Sequence, residues 1–455
     1  MPSKSSGRIE KPRRHKFSTP HSKNHRWESF STKISKFNAL QPLKKVRRHD
    51  LETEDLSATT SYLYSGLQRW NELNITRGFV SFKRELLPLA ESLPQILHFE
   101  QRIFDIFHQH ISLHDKEALE PLLDLLTAFA HDLGQRFEKY YLISLQVLVD
   151  VAKDAREPEL LEWTFGAIAF LFKYLSKLIV SDLRPTYDVL SILLGKGRYP
   201  PHIARFAAEA LSFLIRKSAV PAYCDTSLKV IIQHSLEDLV SWQDDRQFLL
   251  FRDGIMTMFA EAIKSTNTVH STASTIFEYL IKATRLEEKS DPKLVVIWSD
   301  VVCGVMTSVI HHCYMDKFAD LLNSILDTTE AILENCIHAL PCVRLLAVVA
   351  GTRKGTRISA WSRLIKLQLQ FLISATKRAG QSDGGSESQD WWLAVKNIAI
   401  AWQNAPTEEL IPHIASLTNT LMREPLAEWF LPFCTYYSEI DTVRAGNFFK
   451  GDCQR

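Results

Sequence analysis

Apolar residues recur at three- and four-residue steps through most of this 455-residue chain, in blocks that restart roughly every 20 residues. Between 115 and 131 the stripe is Leu119, Leu122, Leu123, Leu126, Phe129 and Ala130. Between 135 and 153 it is Phe137, Tyr140, Tyr141, Leu145, Leu148 and Ala152. Between 158 and 179 it is Leu161, Phe165, Ile168, Phe172, Leu175 and Ile179, with Lys173 and Lys177 together on another face. Such spacing lines apolar side chains along one side of an α-helix. The next stripe, Ile203, Phe206, Ala207, Ala210 and Leu214, follows Pro200-Pro201, and proline suits a first helical turn. Starts near 94, 115, 135, 158, 182 and 201 make a helix pair every ~40 residues, the period of HEAT and armadillo arrays. Further segments begin near 226, 246, 270, 293, 315, 338, 356, 389 and 407, and no run of four or more residues alternates as a strand would. Sixteen glycines and eighteen prolines fall well below the ~12% of average usage, too few for a turn-rich β fold. The expected fold is therefore all-α: a HEAT/armadillo-like α-solenoid of stacked antiparallel helix pairs, each buried by neighbours on two sides.

Charge divides the chain. Residues 1–50 hold fourteen Lys/Arg against Glu10, Glu28 and Asp50, a surplus of eleven in a chain whose total is +2. With no sustained apolar period they cannot bury enough surface to fold alone, so 1–50 is read as a disordered basic tail. A transition segment follows at 51–78, then helical repeats over 79–455, interrupted by a flexible surface loop at 379–390 (AGQSDGGSESQD). Two clusters in the tail stand out, Lys11-Pro-Arg13-Arg14-His15-Lys16 and Lys44-Lys45-Val46-Arg47-Arg48. Runs of this kind are read by nuclear import receptors or attract nucleic-acid phosphates. Lys196, Arg198, Arg205, Arg216 and Lys217 form a second basic set in the repeats. Arg205 and Arg216 are three helical turns apart, so the set reads either as a ladder facing RNA or an acidic partner, or as a solvated face or Arg–Asp/Glu pairing between stacked repeats.

Chemical motifs are scarce. The cysteines, seven in all, are irregularly spaced with no C-x-x-C pair, which fits a reducing compartment rather than a disulfide framework. The N-terminus is charged from Lys4 and does not read as a secretory signal, and the longest uncharged apolar window, Trp163–Phe172, is about half a membrane span. His110 and His114 have the spacing that can seat zinc, but no cysteine or H-E-x-x-H glutamate completes a site; Cys303, His311, His312 and Cys313 scatter over helical faces. Gly351-Thr-Arg-Lys-Gly355-Thr356 lacks phosphate-loop spacing, and no G-x-S-x-G elbow occurs. Asp244-Asp245 suits a helix start. No catalytic residue, metal site, cofactor, membrane contact or small-molecule substrate is expected.

An ordered series of segments resembles the N-terminal part of the U3 small nucleolar RNA-associated protein 20 (down-regulated in metastasis) family. It runs through Leu122-Leu123-Asp124-Leu125-Leu126, Asp132-Leu133-Gly134, Leu161-Glu162-Trp163-Thr164-Phe165 and Ala169-Phe170-Leu171-Phe172-Lys173-Tyr174-Leu175. It continues with Asp182-Leu183-Arg184-Pro185 and Leu193-Leu194-Gly195, and ends at Arg205-Phe206-Ala207-Ala208-Glu209-Ala210-Leu211-Ser212-Phe213-Leu214-Ile215-Arg216-Lys217. The basic cluster at Lys44–Arg48 and the aromatic segment Phe79–Phe107 precede it. The resemblance implies a HEAT-repeat component of the small-subunit processome: a non-catalytic scaffold in the nucleus and nucleolus, acting in ribosome biogenesis and rRNA processing, with other processome proteins, pre-rRNA and the U3 particle as partners. The alternative is a transport or adaptor solenoid resembling karyopherins. Family members are several times longer. The crowding of Leu426, Trp429, Phe430, Leu431, Phe433, Tyr436 and Tyr437 also suggests an end that a partner or further repeats would cover.

Overall fold

The computed structural model describes residues 25–37, 61–195, 199–241, 245–265, 268–283, 292–313 and 361–379, with isolated positions between 321 and 413. Among them the regular structure is helical, apart from one isolated antiparallel bridge between Lys264 and Val269. The helices are α1 (Phe30–Lys36), α2 (Tyr62–Leu73), α3 (Arg77–Leu86), α4 (Leu93–His98), α5 (Glu100–Ser112), α6 (Lys116–Leu133), α7 (Glu138–Asp154) and α8 (Pro158–Ile179). They continue as α9 (Arg184–Leu190), α10 (Pro201–Ser218), α11 (Lys229–Ser241), α12 (Asp245–Ile263), α13 (Ala273–Lys282), α14 (Pro292–His312) and α15 (Trp361–Ala379).

Contacts sort most of them into two rows. In one, α2, α6, α8, α10, α12 and α14 each pack against the next; in the other, α3, α5, α7, α9, α11 and α13 do the same. Cross-contacts α5–α6, α7–α8, α9–α10 and α11–α12 join the rows into a two-layer stack of helix pairs. This explains the broad stripes. Besides the six predicted positions, α8 buries Leu160, Thr164, Ala167, Ala169 and Leu171, because α6, α7 and α10 all cover it. The expected all-α class holds among the described residues.

Local chemistry sets the helix boundaries. Pro158, Pro185 and Pro201 stand in the first turns of α8, α9 and α10, where a missing N–H costs nothing. Pro121 lies inside α6 and removes the bond that the Glu117 carbonyl would accept. Asn74 repairs the loss, its side-chain Nδ2 donating to Glu117 O at 3.0 Å. Gly134 ends α6 at φ 57°, and Gly195 ends the short 3₁₀ turn Ser191–Leu194 at φ 125°, both backbone conformations that favour glycine. At Gly195 the chain passes so close to α12 that a Cβ would lie 2.8 Å from the Leu250 carbonyl carbon and oxygen; Gly254 of α12 leaves the matching space for Leu194.

Two boundaries are corrected. The expected disordered tail 1–50 contains α1, whose Phe30 is fully buried against α8 and α10. The expected transition segment 51–78 contains α2, which buries Leu63, Leu67 and Trp70 and heads one of the two rows. Asp132 makes that placement: its carboxylate accepts from Ser61 Oγ (2.8 Å), Tyr62 N (2.9 Å) and Leu63 N (2.8 Å), capping α2 across 70 residues of sequence. The loop 380–390, the glycine-rich turn 351–356 and the aromatic stretch 426–437 lie outside the described residues.

Candidate functional site

The most fully built surface feature is the seat of residues 25–37 between α8 and α10. Trp27, Phe30, Ile34 and Phe37 follow helical spacing within an otherwise basic segment, and all four meet the solenoid. Phe30 lies among Phe172, Phe206 and Phe213, with ring centroids 6.0, 5.6 and 5.7 Å away. Trp27 stacks on His202 at 3.8 Å and 9°, while Phe165 stacks on Phe206 beneath at 3.8 Å. Phe37 meets Phe170 edge-on at 5.3 Å.

Two carboxylates complete the seat. Glu209 accepts the Phe30 N–H at 2.7 Å and Arg205 Nε at 2.9 Å. Glu162 accepts the Glu28 N–H at 3.1 Å and forms an ion pair with Lys33, which also donates to the Glu162 carbonyl. Because the first turn of a helix has unpaired N–H groups and a positive dipole end, carboxylates from α8 and α10 suit this position. Within the segment, Ser29 caps α1 by accepting from Thr32 N. Glu28 is held below the ordinary carboxylate range, first by its hydrogen bond to Lys36 and then by the charge of Lys33. Glu162 and Glu209 belong to segments singled out in the sequence, but their role is local only in part: each serves a stretch more than 130 residues away.

The basic candidates fare differently. Lys11, Arg13, Arg14, Lys16, Lys44, Lys45, Arg47, Arg48, Lys196 and Arg198 lie outside the described residues. Arg205 is exposed and pairs with Glu209. Lys217 is exposed and sits over the Phe213 ring at 5.7 Å. Arg216 is turned inward: its Nη1 donates to the Glu261 carbonyl of α12 (2.5 Å) and to Ser212 Oγ (3.3 Å), and burial lowers its pKa. Arg205 and Arg216 therefore do different work, one at the seat and one tying α10 to α12. We expect Arg216→Ala to cost about 1–3 kcal/mol by taking the donor from the part-buried Glu261 carbonyl, read as a lower thermal midpoint.

Histidines give the surface a pH dependence. Burial depresses the pKa of His131, His202 and His270; the charges of His25 at His202, and of Arg216 and Lys217 at His270, push the same way. In the unfolded chain these groups take up protons as pH falls below ~6.5, before the folded chain does. Their contribution is thus complete above that value and declines as pH drops toward the folded pKa values. A lower thermal midpoint at pH 5.5 than at pH 7.5, with the difference narrowed in His202→Gln, is the expected result.

No group of three metal-ligating side chains gathers among the described residues, and no helix there is long and apolar enough to cross a membrane. His110 is buried beside Glu85 and His114 lies beside Asp154, on different partners. Cys313 is buried and donates to the Thr268 carbonyl, whereas the His312 ring faces the Ser308 carbonyl.

No family model matches the chain. Two curated proteins do, along nearly all of it. The U3 small nucleolar RNA-associated protein 20 of Schizosaccharomyces pombe (strain 972) is 31% identical over 432 residues, covering 94% of this chain and 16% of the relative. Its namesake from Saccharomyces cerevisiae (strain S288c) is 30% identical over 442 residues, again 94% of this chain and 16% of the relative. The chain thus spans about a sixth of the length of the curated relatives it matches. Such a match is too long to rest on one helical repeat, and over the part that it spans the chain belongs to the U3 small nucleolar RNA-associated protein 20 family.

Proposed function

We propose that this chain serves as a non-catalytic, HEAT-like scaffold in assembly of the small ribosomal subunit, working in the nucleolus within the small-subunit processome. It would hold processome proteins, pre-rRNA and the U3 particle in place while the rRNA is processed. The observation that carries this is the match to two U3 small nucleolar RNA-associated proteins along 94% of the chain. The stacked helix pairs support it, because such arrays offer long binding surfaces. The clusters Lys11–Lys16 and Lys44–Arg48 are proposed as nuclear-targeting and RNA-contact elements, with Arg205 and Lys217 as exposed cations on the solenoid. Lys196 and Arg198 join them in the proposal from sequence.

Crosslinking the tagged chain to RNA in cells and sequencing the bound fragments tests the reading. Enrichment of pre-ribosomal spacer and U3 sequences is expected, with loss of nucleolar enrichment when both basic clusters are replaced by alanine. Recovery of background transcripts alone would overturn it. No observation favours the transport-receptor alternative.

A further inference from the structure

Helix α8 carries a surface strip that runs on from the seat of residues 25–37 and shares Phe170 with it. Phe170, Lys173, Tyr174 and Lys177 occupy successive turns on one side of it. Phe170 and Tyr174 are half-buried and stack at 5.6 Å and 11°. The row of rings extends both ways: Phe37 meets Phe170 at 5.3 Å, His131 of α6 lies 5.5 Å from Tyr174, and Tyr62 of α2 lies 3.8 Å from His131. Tyr62 is 58% exposed. Five rings from four elements thus form one partly exposed row. The Tyr174 hydroxyl fixes it by donating to the His131 carbonyl at 2.9 Å, and burial pushes that phenol up to about 12, so it stays a neutral donor at any physiological pH.

Two cations, Lys173 and Lys177, and one carboxylate, Asp132, lie beside this row. Lys173 and Lys177 make no ion pair among the described residues. The neighbouring carboxylates are engaged: Asp132 by the first N–H groups of α2, and Glu162 by Lys33. A row of aromatic faces bordered by unpaired lysines is the chemistry that takes bases on rings and phosphates on ammonium groups. Three of the four ring steps, at 5.3 to 5.6 Å, clearly exceed the ~3.4 Å rise of a strand in a duplex, and the fourth, Tyr62–His131 at 3.8 Å, is also longer, so the row suits splayed rather than paired bases.

We infer that the row Phe37–Phe170–Tyr174–His131–Tyr62, with Lys173 and Lys177, is a binding platform for single-stranded RNA. The choice of RNA over DNA rests on the function proposed above; the stacking and charge do not. The test uses the full chain and a fluorescently labelled 12-nucleotide uridine RNA, followed by anisotropy across a salt series. Tyr62→Ala is expected to weaken binding about tenfold with the salt slope kept, since a stacking ring is lost and no charge. Lys173→Ala/Lys177→Ala is expected to reduce the slope by about 1.4, two single-strand phosphate contacts. Thermal midpoints of both variants should match the parent, because neither change opens the core. A 12-base-pair duplex should compete poorly. Variants that bind as the parent does, or a duplex or polyglutamate competing as well as the single strand, would overturn the platform while leaving the scaffold reading intact. A parent chain that binds no RNA would overturn this platform too and, with background-only crosslinking in cells, the scaffold reading as well.

Discussion

Phe30→Ala should release residues 25–37 from the solenoid while leaving the helical stack folded. The ring is fully buried, and three other phenylalanines, Phe172, Phe206 and Phe213, surround it. Truncating a ring in such a site costs about 3–5 kcal/mol. A seven-residue helix cannot absorb that, because helices so short are unstable without tertiary contacts. Loss of the ring should therefore abolish docking as a unit, including the Lys33–Glu162 pair and the bond from Phe30 N–H to Glu209. Brief trypsin treatment reads this directly. In the parent, Lys33 is buried and should resist cleavage; in the variant it should be cut as fast as the exposed Arg26. Equal rates in the parent would show that the seat is not held in solution.

Gly195→Ala is expected to damage the stack itself. Its φ of 125° disfavours any side chain, and the new Cβ would press on the Leu250 backbone, which cannot rotate away as a side-chain tip can. Strain and overpacking together should cost about 2–5 kcal/mol, seen as a lower denaturation midpoint and faster hydrogen exchange in α12. Gly166→Ala is the matched control. That glycine lies within α8, and a methyl group added there would meet no atom within 4 Å, so helix propensity alone acts and stability should rise by up to ~1 kcal/mol.

Periodicity alone made the stack legible. The stripes of α6, α7, α8 and α10 are buried as their spacing required, and expected starts near 115, 158, 201, 246 and 293 fall within one residue of α6, α8, α10, α12 and α14. This works because each helix is long enough for a 3.6-residue period to repeat. Residues 25–37 are too short for that: Trp27, Phe30, Ile34 and Phe37 keep the period for one short helix, within a segment whose cations dominate its composition. Arg205 and Arg216 illustrate a second limit. Helical geometry puts both on one side of α10, but their surroundings differ, since Glu209 faces one and the Glu261 carbonyl faces the other. Partners on other helices are invisible to spacing along one. The same holds for Asp132, whose segment stood out in the sequence, although what it caps begins 71 residues earlier.

The seat also has a timetable. Phe30 leaves the ribosome 179 residues ahead of Glu209, its hydrogen-bond acceptor. At about 5–20 residues per second, that interval is on the order of ten to forty seconds. Throughout it, Trp27 and Phe30 are greasy, tethered and without their groove, so the newborn chain would present a short aromatic handle to chaperones before it becomes a brace.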